Sequence, residues 1–308
     1  MKKYLQLMLC MSVLFVGRVT HAQTPADAIM MKQREICFAL SYDHGTWDHY
    51  WEGADLRVNG NIGTLTRNTT APMVAYGIIN KLNVLLSTPY VQTKSSGGQL
   101  AGVKGFQDIS VALKYEAFNR KVGKGKLLLL PVGAFATPMT NYLSDYQPYS
   151  LGLGTTEWTL RGIVQYELDK GPYVRGSVAH LWRGQTEVER DFYYNNGSYY
   201  TTFMDVPNAW NYQGTLGAWL LDYSLQVEAT YFVMNSTSGD DIRAYNSPQP
   251  TNKVEFSQVS FFAHYYFKNF ERIKGLGVMG YYSQMLDEGR NMGKFTNIGG
   301  GFTYQFKF

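Results

Sequence analysis

Asn297-Ile298-Gly299-Gly300-Gly301-Phe302-Thr303-Tyr304-Gln305-Phe306-Lys307-Phe308 reads as a strand with two unlike faces. Successive side chains of a strand point to opposite sides, so Ile298, Gly300, Phe302, Tyr304, Phe306 and Phe308 share one face. Asn297, Gly299, Gly301, Thr303, Gln305 and Lys307 share the other. In a water-soluble sandwich the aromatic face would be core. In a membrane-spanning barrel it faces lipid, and the polar face lines the lumen.

The same period-two pattern recurs upstream. In 109–117, Ile109, Val111, Leu113, Tyr115 and Ala117 oppose Ser110, Ala112, Lys114 and Glu116. In 157–168, Trp158, Leu160, Val164, Tyr166 and Leu168 oppose Glu157, Thr159, Arg161, Gln165 and Glu167. In 223–234, Tyr223, Leu225, Val227, Ala229, Tyr231 and Val233 oppose Ser224, Gln226, Glu228 and Thr230. The pattern places strands at 34–43, 69–79, 82–92, 106–118, 126–137, 154–168, 172–184, 207–221, 223–235, 253–267, 275–286 and 295–308. Short turns alternate with long polar loops at 44–68, 93–105, 138–153, 185–206, 236–252 and 287–294. That rhythm belongs to an all-β, transmembrane antiparallel up-and-down β-barrel of about 12 strands, with 10 or 14 as the alternatives. No plug domain is expected, because the segment before the first strand is too short for one. Residues 47–60 are open to an added hairpin, and 188–203 to a pair of strands rising above the membrane.

Composition agrees. The chain has 308 residues, 24 of them Tyr, and 17% are charged, where about 25% is usual. Such a chain is too aromatic and too weakly charged for disorder. Two cysteines exclude a disulfide scaffold. Tyr suits the membrane interfaces, having an apolar body and a polar tip. A mean hydropathy of -0.25 is what lipid-facing and lumen-facing residues plus polar loops average to. A net charge of +4 is too small to point to nucleic acid.

Residues 1–22 read as a secretory signal peptide: Lys2 and Lys3, an apolar stretch from Leu5 to Val16, then Thr20-His21-Ala22. Residues 23–33 form an N-terminal lead, and 34–308 the barrel. The terminal strand resembles the signal read by the outer-membrane barrel assembly machinery, carried here by Phe302, Tyr304, Phe306 and Phe308. The expected location is the outer membrane of a diderm bacterium. Outer-membrane lipid and that machinery are the expected partners.

One segment resembles a known family. Thr70-Ala71-Pro72-Met73-Val74-Ala75-Tyr76-Gly77 runs into Leu82-Asn83-Val84 and Ser87-Thr88-Pro89-Tyr90-Val91. Gly105-Phe106-Gln107-Asp108-Ile109 then leads to Lys114-Tyr115. These residues are similar to the outer-membrane family named for the meta-pathway of phenol degradation (MetA), over roughly 65–170. Phe106 and Gln107 depart from its usual small or apolar residues. The resemblance implies an outer-membrane barrel handling aromatic or other hydrophobic compounds.

The inward face is expected to carry Lys114, Glu116, Glu157, Arg161, Glu167, Arg175 and Glu228, with Lys307 at the end. Paired, these charges narrow a lumen; spread along a wet wall, they set selectivity. Aromatic candidates for the extracellular mouth are Trp47, Tyr50, Trp51, Tyr193, Tyr194 and Tyr199. Asp43-His44 and Asp48-His49 place an acid beside a histidine, but strand neighbours point apart and no nucleophilic serine accompanies them. Asp240-Asp241 lacks the ligand spacing of a calcium loop. No enzyme activity, cofactor or metal is expected. The leading function is a channel or transporter for small solutes. The alternatives are a structural or surface-interaction barrel with a packed lumen and, third, an outer-membrane hydrolase.

Overall fold

The computed structural model describes residues 24–243, 248–268 and 273–308. The proposed signal peptide lies outside them. The described chain is all-β and closes into a barrel of 12 antiparallel strands. They are β1 (Glu35–Trp47), β2 (Leu65–Ile79), β3 (Leu82–Ser87 with Tyr90–Ser95), β4 (Lys104–Phe106, Asp108–Tyr115 and Phe118–Val122) and β5 (Gly125–Pro138). Then come β6 (Glu157–Leu168), β7 (Pro172–Arg183), β8 (Ala209–Leu220), β9 (Leu225–Ser236), β10 (Glu255–Tyr266), β11 (Leu276–Arg290) and β12 (Thr296–Lys307). Two strands are broken, β3 at Thr88-Pro89 and β4 at Gln107 and at Glu116-Ala117. Proline has no N–H to give to a ladder, which fits the break in β3.

Closure is antiparallel. β1 pairs β12 from Glu35↔Lys307 to Thr46↔Thr296, and pairs β2 from Ile36↔Tyr76 to Trp47↔Leu65. Every strand therefore has two neighbours and no long edge is left bare. The lipid side is apolar, with Leu216 68% and Phe302 60% exposed. Toward the long-loop end it carries Trp158, Trp182 and Trp210, with His180 4.4 Å from both Trp182 and Trp210. At the short-turn end Phe38 stacks on Phe306, and Phe306 meets Phe308 edge-on. These two aromatic zones match the girdles a membrane barrel needs.

Strands run further into the loops than the apolar alternation indicated. β1 extends to Trp47 and β2 begins at Leu65, because the polar stretch 43–46 keeps its ladder with 66–69. Backbone pairing needs no apolar side chain, so the pattern faded before the strand did. Residues His49–Glu52 and Asp55–Val58 form a hairpin outside the barrel. The 185–206 loop carries two small ladders, Gln185–Glu187 with Phe203–Asp205 and Tyr193–Tyr194 with Ser198–Tyr199. Asn196 turns the second at a φ of 53°.

Candidate functional site

The lead does not trail away from the barrel. Its residues 24–32 sit inside the lumen, and Lys114 of β4 holds them. The Lys114 ammonium is fully buried. It donates to the Asp27 carboxylate at 2.9 Å, to the Asp27 carbonyl at 2.9 Å, to the Ile29 carbonyl at 3.3 Å and to the Thr24 carbonyl. The Asp27 carboxylate in turn accepts from the backbone N–H groups of Thr24 and Ile29. The lead thus wraps a cation much as a short loop wraps a metal. Asn83 donates to the Met31 carbonyl at 3.1 Å. Gly77 lies against the Lys32 carbonyl so closely that a Cβ there would clash.

The seat beneath the lead is apolar. Ala28 and Met31 pack with Cys37, Ala75, Leu85, Ala112, Leu128, Leu130, Val132 and Ile163. These wall residues point inward, where an open aqueous channel would carry polar groups. Full burial of a Met side chain is worth about 1.5–3 kcal/mol, and Met31 is 1% exposed.

Three cavities follow one another along the lumen. An outer one of about 620 Å³ lies under the long loops, lined among others by Trp47, Tyr50, Arg67, Arg183, Met234 and Phe295. A middle one of about 380 Å³ touches Thr24, Asp27, Arg175, Glu228, His264 and Tyr281. A lower one of about 700 Å³ opens among the short turns, between Lys32, Glu116, Lys126, Glu167, Trp219 and Lys307. Ile29, Arg175 and Gln226 border both the middle and lower cavities. The lead and these side chains form the partition.

The charged candidates fall on the inner wall in distinct states. Arg175 makes a two-pronged pair with Glu228, at 2.9 and 2.7 Å, and Glu228 also accepts from Tyr173 and Gln226. Glu157 pairs with Arg183 at 2.8 Å near the outer cavity. Glu116 accepts from Asn119 and Glu167 from Gln165. Arg161 donates one hydrogen bond, to Ser177 at 3.2 Å. Desolvating charges is costly, so buried pairs persist where extra hydrogen bonds satisfy them, as around Glu228.

The mouth aromatics divide. Trp47 and Tyr50 border the outer cavity. Trp51 does not: it is 1% exposed and packed under Gly289. Tyr193 is buried with Val188 and Met204 and stacks on Tyr199, which is exposed on its other side. The Tyr194 carbonyl accepts from Gln249. The loop aromatics therefore build a folded cap more than an open ring.

That cap is fastened by polar groups far apart in sequence. Asp241 receives both prongs of Arg290, at 2.7 and 2.6 Å, and the Asn291 amide. Those donors hold its carboxyl below the usual carboxylate range. Asp240 next door is buried and pushed the other way, despite bonds from Thr251, Asn252 and Gln249. These two aspartates thus have protein partners in place of a calcium loop. Asp48 and His49 do meet, at 2.8 Å, because they sit at the turn between β1 and the outer hairpin and escape strand alternation. His44 bonds Asn68 at 2.7 Å. The two imidazoles thus bond an amide and a carboxylate, not a hydroxyl of the kind a nucleophile supplies.

Sequence reasoning missed Asp27, Arg67 and His264. Asp27 had a usable signal. It is the sole charge in Gln23–Met31 and stands beside Ala28-Ile29-Met30-Met31, a composition suited to burial against a lone cation.

The fold is that of outer-membrane β-barrels. The chain is similar to the crystal structure of the COG4313 outer membrane channel from Pseudomonas putida F1, with a TM-score of 0.71 and 14% identity over 92% of this chain and 100% of that one. It is more distantly similar to the NanC porin, with a TM-score of 0.48 and 10% identity over 86% of this chain and 99% of that one. No protein-family model and no curated protein matches the sequence.

Proposed function

We propose that this barrel is a passive channel or transporter for small solutes in the outer membrane of a diderm bacterium, with aromatic or otherwise apolar compounds among its cargo. The observation that carries the reading is the row of three cavities along one lumen, partitioned by a lead that covers an apolar wall. Displacing the lead would join the cavities and bare that wall to a solute. The resemblance of 65–170 to the phenol-degradation family supports the apolar class. In this reading the long loops face outward, the short turns face the periplasm, and the terminal strand directs assembly.

A second reading, a structural barrel with a packed lumen, is favoured by the Lys114–Asp27 and Arg175–Glu228 pairs that fill the midsection. Uptake by liposomes separates the two. Vesicles holding the protein should take up small aromatic solutes faster than protein-free vesicles. Equal rates for every solute tried would leave the packed-lumen reading standing.

A further inference from the structure

The lead occupies its seat as a ligand would. It presents one carboxylate, Asp27, and then the apolar run Ala28-Ile29-Met30-Met31. The wall presents the complement. Lys114 stands on β4 two residues from Ala112, on the same inward face. It pairs directly across the sheet with Val132 on β5 and with Asn83 on β3. Ala112 and Val132 belong to the apolar floor that holds Ala28 and Met31. A cation set in an apolar floor fits a carboxylate with an apolar body.

Lys114 depends on the lead for its charge balance. Asp27 is its one ion-pair partner among the described residues. The neighbouring cations have partners of their own: Arg175 is held by Glu228, and Arg161 is drawn to Glu157. Both arginines repel Lys114. A lead that merely lifted away would strand a repelled ammonium in an apolar wall, which is costly. An incoming carboxylate removes that cost and a neutral solute does not, so the anion alone favours the unseated state. Such a solute has a place to arrive. The middle cavity of about 380 Å³ is lined in part by Thr24, Asp27 and Ile29, so a molecule there lies against the lead at the carboxylate it would replace. With the Lys114 side chain 0% exposed, the seat itself is reached only by displacement.

We propose that the lead stands in for a solute: its seat takes up small amphiphilic carboxylates, which open the partition by replacing it. The solute carboxylate would sit on Lys114, and its alkyl or aryl body on the floor vacated by Ala28 and Met31. This rests on the channel reading above and names the class of solute that opens the channel. Because the lead is tethered beside its seat, at an effective concentration on the order of millimolar, the solute acts only where it is plentiful.

The test uses the full chain in liposomes, with Ala28→Cys in a Cys37→Ala background and a polar thiol reagent. Hexanoate is the probe. Hexanamide keeps its body without the charge, and acetate keeps the charge without the body. Hexanoate bound to the open seat should raise the ratio of unseated to seated lead about tenfold at roughly ten times its dissociation constant. Labelling should quicken by the same factor, while hexanamide and acetate leave the rate close to that without solute. In Asp27→Asn, whose seat has lost its internal carboxylate, dialysis of the vesicles against radiolabelled hexanoate should show saturable binding. Lys114→Met added to Asp27→Asn should abolish that binding. The folded state of each variant is read from its heat-dependent gel mobility. Equal quickening by hexanoate and hexanamide, quickening by neither, or binding that survives the loss of Lys114 would overturn the proposal. The channel reading stands or falls separately, on uptake of neutral aromatic solutes by the same vesicles.

Discussion

Lys114→Met leaves an acid without the cation it was folded around. In the parent, the ammonium is fully buried and bonded to the Asp27 carboxylate and to three lead carbonyls. In the variant, Asp27 keeps the Thr24 and Ile29 backbone donors alone. Removing one partner of a buried pair costs about 3–5 kcal/mol. Burial of Met31, the largest apolar anchor of the lead, returns about 1.5–3 kcal/mol, so the electrostatic loss outweighs it. At about 1.4 kcal/mol per tenfold, the ratio of unseated to seated lead should rise by roughly a hundredfold or more. The assay is thiol labelling of Ala28→Cys with a polar reagent, in a Cys37→Ala background. Labelling that tracks the opened population should accelerate by the same factor. Asp27→Asn added to Lys114→Met should reverse part of the effect, since no charge is then stranded. Labelling at an unchanged rate in Lys114→Met would refute the reasoning.

Gly77→Ala presses a methyl group on the Lys32 carbonyl and should unseat the lead from its other end, raising ion flux; parental flux would contradict the close approach seen there. Asp241→Asn should loosen the loop cap by about 1 kcal/mol at neutral pH, read as faster proteinase nicking of 236–252. Because the folded-state value of Asp241 is depressed, its stabilisation is present above the unfolded value near 3.9 and is lost as pH falls through the folded one. Parent and variant should therefore converge on acidification; a gap that persists or widens would count against the Arg290 pairing. Asp240, raised by burial, shifts stability in the opposite sense and is common to both proteins. Removal of Phe308 should lower the amount of heat-modifiable barrel in the outer membrane several-fold, and equal amounts would argue against its role in assembly.

The barrel was legible because lipid imposes a simple rule on every strand. Val111, Leu113 and Tyr115 are exposed outward while Ala112 and Lys114 are buried inward, as their parity requires. The terminal strand behaves alike, with Phe302 and Tyr304 outside and Thr303 and Gln305 inside. What period two cannot encode is who meets whom across the lumen. Lys114 and Asp27 are 87 positions apart, and their pairing depends on where an irregular segment lies. Trp51 is aromatic and in a loop, yet Gly289, on a strand near the other end of the chain, decides that it is buried. Strand parity keeps neighbouring side chains apart only as far as Trp47, where β1 ends, so Asp48 and His49 just beyond it can meet. Strand faces follow from local alternation, and sites follow from contacts between distant elements.

The most direct check on the account compares solute flux through the parent and through a chain lacking residues 24–32, both inserted in liposomes. The seated lead partitions the lumen, so the parent should admit small aromatic solutes slowly. The shortened chain should admit them severalfold faster. Two folded proteins that admit none would contradict the claim that this barrel is a channel closed by its own lead.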